Sequence, residues 1–387
     1  MDFGFSEEQE MLRQSARQFL DAECSMTYVR KMMEDDSGYS EEQWQKMAAL
    51  GWQGLIIPEA YGGSGLNMVD MTLVLEEMGR VVMPGPFFAT VILGASALVL
   101  GGSKAQKKKY LPKICDGSLK ATLAQVEGSG RWDADGILLP ATKNDAGFSL
   151  SGTKLFVHDA HNADLLVVPA RTRGKGGAKG ITLFLVDAKA QGVKISLLKT
   201  MDQTRKLCEV SFDNVQVGKD AVLGKANQGW ALLDRLMDRA KVALCAEMCG
   251  GAQKVLEMSV DYAKVREQFG KPIGSFQAIQ HKCANMMVQT ESSKSATYYA
   301  AWAVANEAAD AHLASCMAKA YCSDAYRAVS SEGIQVHGGI GFTWEHDMHL
   351  FFKRAKGSEV TFGDATWNRE LVAQVVLDAP EEQAISA

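Results

Sequence analysis

Residues 238–281 read DRAKVALCAEMCGGAQKVLEMSVDYAKVREQFGKPIGSFQAIQH. Within them Leu244, Met248, Val255, Met258 and Tyr262 recur at spacings of three or four residues or their multiples. That period predicts one long amphipathic helix with a stripe turned to a core. Gly270-Lys271-Pro272 breaks the pattern, and a second helical pattern opens beyond it. A polar cluster, Arg266-Glu267-Gln268-Phe269-Gly270-Lys271, closes the first helix, and Phe276-Gln277-Ala278-Ile279-Gln280-His281 follows.

Working outward, the pattern stays helical from Gly229 almost to the end, with breaks at Gly270–Gly274, near Asn306–Asp310 and at Gly338–Gly341. Four long helices with apolar faces predict a bundle. Upstream, short β-rich runs alternate with turn residues: Phe148–Ser151, Leu165–Val168, Ile181–Val186 and Cys208–Phe212. Arg171–Gly180 (RTRGKGGAKG) lies between two of them and predicts a flexible hairpin loop. Residues 1–120 are mostly helical by pattern, with Ser6 and Ser40 as N-caps ahead of acidic first turns. The tail DAPEEQAISA is expected to fray. The expected organisation is α+β: an N-terminal helical domain over 1–120, a middle β-domain over 121–225, and a C-terminal helical bundle over 226–387.

Composition narrows the partners. The chain has 387 residues, is 22% charged and carries a formal net charge of −5. Neither nucleic acid nor an anionic membrane is expected from that balance, and no apolar run reaches membrane-spanning length. The acidic start MDFGFSEEQEMLRQ is unlike a signal or transit peptide, so a cytoplasmic protein is expected. The eight cysteines show no C-x-x-C spacing, so no disulfide frame and no metal site is expected. His312 and Cys316, four apart, read as an ordinary histidine beside a small buried thiol. The basic stretch Lys104–Lys113 reads as a solvated helix face.

Three stretches together resemble the acyl-CoA dehydrogenase family across essentially the whole chain. The first is Arg266–His281, similar to an R-x-x-F-G-x-x-I-x-x-F/H-Q segment that holds part of an FAD. The second is Gly333-Ile334-Gln335-Val336-His337-Gly338-Gly339-Ile340-Gly341-Phe342, whose glycines let backbone amides reach an anionic group. The third is the β-domain, where Leu123–Gly130 (LAQVEGSG) and Gly152–His158 (GTKLFVH) match two flavin-facing segments. LGWQGLIIPEAYGGSGL, ending at Leu66, resembles the family's N-terminal signature. By resemblance, the FAD contacts are Gln125, Val126, Phe156, His158, Arg266, Gln268, Phe269, Gln277, Gln335, Gly338, Gly339, Asp364 and Thr366. Val126 stands where a hydroxyl residue is usual, and the usual proline is missing. Ser129, Asp238, Lys241 and Thr361 fall at substrate-binding positions, with Lys241 replacing an arginine.

The resemblance implies α,β-dehydrogenation of an acyl-CoA thioester. A base takes the α-proton, the β-hydrogen leaves as hydride to FAD, and hydrogen bonds hold the thioester oxygen. It also implies an electron-transfer flavoprotein as acceptor and a homodimer or homotetramer. Yet Phe362, in Thr361-Phe362-Gly363-Asp364-Ala365-Thr366, occupies the usual glutamate position, leaving only its backbone N–H for the thioester. Ala240 occupies the position a second subgroup uses for its base. Glu247 lies two turns beyond Ala240, about 10 Å along the axis and within about 20° of the same face. Its apolar neighbours should raise its pKa, which makes it the expected base, with Asp364 the alternative. A relocated base points to a branched, cyclic or otherwise bulky acyl group. Two other readings stay open: a non-catalytic subunit of a hetero-oligomer, and a flavin oxidase or oxygenase on the same fold.

Overall fold

The structure is a computed structural model and describes residues 4–377; the expected frayed tail lies outside the described residues. The chain forms two compact units: Met1–Arg30, Met68–Met83 and Lys241–Ala387 make one, Lys31–Asn67 and Pro84–Ala240 the other.

Helices come first: α1 (Glu7–Glu23), α2 (Met26–Glu34), α3 (Glu41–Ala49), α4 (Met68–Arg80), α5 (Ser96–Gly101) and α6 (Lys104–Cys115). Ser6 caps α1 in a capping box with Gln9, and Ser40 caps α3 by accepting from the Gln43 amide at 3.4 Å. A wholly buried π-helical segment, Phe88–Ala95, leads into α5.

The strands then build two sheets. β1 (Ala121–Leu123), β4 (Leu165–Arg171), β5 (Ile181–Asp187) and β8 (Val222–Leu223) form one; β2 (Ala141–Lys143), β3 (Gly147–His158), β7 (Leu207–Gly218) and β6 (Val193–Leu198) form the other, each given in spatial order. β1 pairs parallel with β4, and the other pairings are antiparallel. Leu150, Val157, Cys208 and Val210 from one sheet share a core with Leu166, Val168, Phe184 and Val186 from the other. Arg171–Gly180 joins β4 to β5, as expected. The buried Arg171 guanidinium donates to the carbonyls of Gly176, Gly177 and Lys179 at 2.8–3.1 Å, and to Ile137 and Ala134, ordering the loop from inside.

The last helices are α7 (Gly229–Val265), α8 (Gln277–Ala305), α9 (Ala311–His337), α10 (Met348–Val360) and α11 (Ala365–Leu377). A two-stranded hairpin, β9 (Glu267–Gln268) with β10 (Lys271–Pro272), separates α7 from α8. Three long helices are therefore joined by two shorter ones that share the fourth place, because Phe362 and Gly363 both take left-handed φ and end one helix before the next begins. The amphipathic stripe of α7 holds only in part. From Ala240 to Ala252 every residue is buried, on all faces of the helix. Gly79 of α4 and Gly250 of α7 close one of those faces, while α8 and α9 bond to Cys249 and Lys241 on others. A Cβ on Gly79 would lie 2.0 Å from the Glu247 carbonyl, and one on Gly250 1.8 Å from the Glu76 carbonyl. The two backbones meet where no side chain fits.

Candidate active site

In the unit that carries the sheets, Ala124 continues β1 by donating to the Val167 carbonyl at 2.9 Å, which fixes the backbone leading into Gln125, Val126 and Glu127. Gln125 is buried; its amide nitrogen donates to the Trp132 carbonyl at 3.4 Å, while its Oε1 accepts from no group among the described residues. Val126 is buried and its carbonyl accepts from the Leu155 amide at 2.8 Å; its side chain offers no hydrogen bond. Ser129 is exposed on the following turn, where its Oγ accepts from the Arg131 amide.

β3 carries the aromatic residue. Between Lys154 and Val157 its register against β7 slips by one residue, since Lys154 faces Val210 and Val157 faces Cys208. The extra residue makes a bulge, and Phe156 sits in it at φ +54°. That conformation is costly for an aromatic residue, and it leaves the ring 51% exposed. Phe156 is thus no core strand residue. His158 is buried two residues on, 6.1 Å from the Phe88 ring, with its carbonyl accepting from Thr122 Oγ1 at 2.7 Å.

Beneath this segment lies a pair that residue patterns did not single out. Lys154 is fully buried; its Nζ donates to Glu127 Oε1 at 2.7 Å and to the Gln125 carbonyl at 3.0 Å. Glu127 also accepts from the Leu138 and Leu139 amides. Burial pushes the Lys154 ammonium down to about 8, against the opposing pull of Glu127. A lysine inside a strand, paired with a glutamate in the preceding loop, was the available signal.

In the helical unit, Glu247 is 8% exposed in the all-round buried part of α7. Lys241 is buried earlier on the same helix, its Nζ donating to Cys316 Sγ at 3.2 Å; Asp238, also on α7, is buried too. His312 Nε2 lies 3.8 Å from the same sulfur. Burial raises the Cys316 thiol, but His312 and Lys241 outweigh it and hold it below the ordinary thiol range.

Phe362 is 3% exposed at φ +60°, in the turn between α10 and α11. Thr361 Oγ1 donates to the Gly357 carbonyl at 2.9 Å, closing the last turn of α10. Asp364 is exposed and caps α11, its Oδ1 accepting from the Trp367 amide at 2.7 Å. One oxygen of the alternative base is thus engaged as a helix cap. Thr366 is exposed in the first turn of α11. Lys319 and Asn368, which no motif flags, are fully buried beneath this turn and hydrogen-bond its carbonyls. Lysine on an α9 face otherwise made of small residues, Ser315, Cys316, Cys322 and Ser323, was the signal.

The remaining expected contacts lie at the surface of the helical unit. Arg266, Gln268 and Gln277 are exposed, and Phe269 is 93% exposed at φ +55° on the hairpin tip. Gln335, Gly338 and Gly339 are exposed where α9 ends. A Cβ on either glycine would meet nothing within 4 Å, so the turn leaves open space against its backbone. His337 fixes that turn: its Nδ1 lies 2.7 Å from the Gly333 carbonyl and its ring stacks on Tyr262 at 4.5 Å.

Three features fit an FAD. Gln125 holds a buried oxygen with no donor among the described residues, Phe156 presents a strained aromatic face, and the 338–339 turn offers uncovered backbone. A β-domain with an aromatic bulge and helical domains before and after it fit the flavin-dependent dehydrogenase class that the sequence resembles.

Comparison with known proteins agrees. The N-terminal domain of the acyl-CoA dehydrogenases matches residues 6–118, the middle domain 124–215 and the C-terminal domain 227–377. Acyl-CoA dehydrogenase IpdE2 of Mycolicibacterium smegmatis is 31% identical over 359 residues, 92% of this chain and 95% of that one. Butyryl-CoA dehydrogenase from Megasphaera elsdenii superposes with a TM-score of 0.91 at 28% identity, over 97% of this chain and 99% of that one. A chain in a structure described as the electron transferring flavoprotein of Acidaminococcus fermentans superposes with a TM-score of 0.92 at 28% identity, over 98% and 100%. The protein belongs to the acyl-CoA dehydrogenase family. It is accordingly a flavoprotein oxidoreductase acting on CH–CH bonds, with FAD as its cofactor. Among the described residues no helix is long and apolar enough to cross a membrane.

Proposed function

We propose that this chain dehydrogenates an acyl-CoA thioester between its α and β carbons, with Glu247 as the base, and passes electrons to an electron-transfer flavoprotein. One observation carries the assignment of the base. Both familiar positions hold groups that cannot accept a proton, Ala240 and Phe362, while Glu247 places a carboxylate in the buried stretch of α7. Such a carboxylate is shielded from water, where a positioned base is most effective.

Glu247 takes the α-proton. The Phe362 backbone N–H, in its left-handed turn, holds the thioester oxygen and stabilises the negative charge that grows there. Lys241 and Asp238 orient the thioester, and Ser129 and Thr361 line its approach. Gln125, Val126, Phe156 and His158 hold the isoalloxazine end of FAD; Arg266, Gln268, Phe269, Gln277, Gln335, Gly338, Gly339, Asp364 and Thr366 hold the rest. When bound, FAD supplies the hydride acceptor. The exposed hairpin and glycine turn support contribution to a second subunit's FAD, hence a homodimer or homotetramer in the cytoplasm. Relocating the base within α7 supports a branched, cyclic or otherwise bulky acyl group.

The buried aromatic ring at Phe362 favours one second reading, a non-catalytic subunit that lends flavin contacts to an active partner. One experiment separates them. The protein purified alone is titrated without oxygen with straight, branched and ring-bearing acyl-CoAs while the flavin absorbance is followed. Bleaching by one class, abolished in Glu247→Gln with FAD retained, is the expected result. Equal bleaching in that variant refutes the base. A colourless protein establishes the partner-dependent subunit.

A further inference from the structure

The turn that presents the Phe362 N–H has an unusual support. Two consecutive left-handed residues, Phe362 at φ +60° and Gly363 at φ +85°, separate α10 from α11. The first is a strained conformation for a residue with a bulky side chain, so the surroundings must hold it. The Lys319 ammonium has three N–H donors and three acceptors in reach: Ser323 Oγ at 2.8 Å, the Glu359 carbonyl at 3.0 Å and the Gly363 carbonyl at 2.8 Å. It therefore ties the end of α10 to the far side of the strained pair. Asn368 Nδ2 adds bonds to the Gly363 carbonyl at 3.0 Å and the Asp364 carbonyl at 2.9 Å. The Ser323 hydroxyl donates back to the Lys319 carbonyl at 2.7 Å, which fixes the anchor on α9 itself.

We infer that Lys319 is a positioning residue for the dehydrogenation: its ammonium clamps the Glu359 and Gly363 carbonyls and so sets the direction of the Phe362 N–H. This rests on the role proposed above for that N–H. A carboxylate would anchor the ammonium more strongly, but among the described residues none bonds to it. The Glu359 carboxylate is turned to Lys356 at 2.7 Å and Arg327 at 3.3 Å instead. The clamp thus depends on all three protons of a buried cation.

Deprotonation would disturb that clamp. Burial holds the Lys319 ammonium down to about 8, with Cys245, Cys322 and Asp364 opposing the shift and Lys241 adding to it. Neutral lysine keeps two N–H groups and a lone pair, so one of the three acceptors loses its donor. Stability moves the other way. The unfolded lysine binds its proton up to its ordinary pKa, so between the two values the unfolded state holds more protons and stability rises with pH. A merely structural lysine would let activity follow stability. A positioning lysine makes them diverge.

The test uses the full-length holoprotein with whatever subunits it purifies with, comparing wild type, Lys319→Met and Asn368→Ala. Hydrogen exchange of the peptide spanning residues 359–366 reads the clamp directly, without any substrate. Loss of protection in Lys319→Met by about tenfold or more is expected, with a smaller loss in Asn368→Ala and FAD content retained in both. In wild type the same peptide, corrected for intrinsic exchange, should loosen from about pH 7 to about pH 9 while the melting temperature does not fall. That pH series also serves if Lys319→Met fails to fold. With an acyl-CoA that turns over, kcat should fall about tenfold in Lys319→Met, and the wild-type decline above about pH 8 should vanish in the variant. Unchanged protection in Lys319→Met, or a wild-type peptide indifferent to pH, overturns the inference. Loosening of the peptide in a protein that turns over no acyl-CoA refutes instead the proposed function of the Phe362 N–H.

Discussion

Glu127→Gln should expose how the buried Lys154 is tolerated beneath the Gln125–Glu127 segment. In the native chain Lys154 Nζ meets Glu127 Oε1 at 2.7 Å and has, among the described residues, only one other acceptor, the Gln125 carbonyl at 3.0 Å. Removing one partner of a buried ion pair costs about 3–5 kcal/mol when the survivor must stay charged. Lys154 need not. Its pKa of about 8 with Glu127 present means that shedding the proton at pH 7 costs only about 1.4 kcal/mol. Deprotonation therefore caps the electrostatic penalty at that value. The substituted amide can still accept from the Leu138 or Leu139 N–H but loses at least one bond, worth about 1 kcal/mol. The expected loss is about 2–3 kcal/mol at pH 7.

The pH dependence follows with a definite sign. Lys154 is depressed, so wild-type stability from this group rises with pH only above about 8. In the variant the folded pKa falls further and the rise begins earlier, so the gap between the two proteins should narrow by about 1.4 kcal/mol from pH 7 to pH 9. Urea titrations of FAD-free protein at both pH values measure it. A gap that stays constant, or exceeds about 4 kcal/mol at pH 7, would refute the reasoning, because Lys154 would then remain charged without Glu127.

Phe156→Ala should leave the melting temperature nearly unchanged, since the ring is half exposed, but should release FAD during gel filtration; retention of a full complement of FAD would remove Phe156 from the flavin site. Gly79→Ala should destabilise by about 1–3 kcal/mol or more, because the new methyl group would meet the Glu247 carbonyl at 2.0 Å. If Glu247 is the base, the displaced α7 backbone should also lower kcat in whatever Gly79→Ala protein remains folded, and an unchanged kcat would weaken that assignment.

Much of the architecture was open to a reader of the residues. Ser6 and Ser40 announced helix starts because a hydroxyl ahead of an acidic turn satisfies amides that nothing else reaches. The break at Gly338 is local chemistry of the same kind and ends α9 as expected, whereas α7 already stops at Val265 and Gly270 turns the β9–β10 hairpin. Side-chain surroundings were less accessible. The stripe on α7 implied one buried face, yet over Ala240–Ala252 the helix is buried on all faces, with Gly79 and Gly250 letting α4 close on one of them. Glycine at 79 signals this only once its partner across the crossing is known.

The sequence by itself determined the order of helices and strands and the family resemblance. These depend on local spacing, caps and motif identity, all of which are written in neighbouring residues. Tertiary structure decided that Phe156 sits on a bulge within its strand, that an Asp364 oxygen caps α11, and that Lys154 and Lys319 lie wholly inside. A bulge is defined by the register of a partner strand, and a buried lysine by carbonyls up to 44 residues away. Such contacts come into being only when distant segments pack. Burial then makes each of those hydrogen bonds costly to lose.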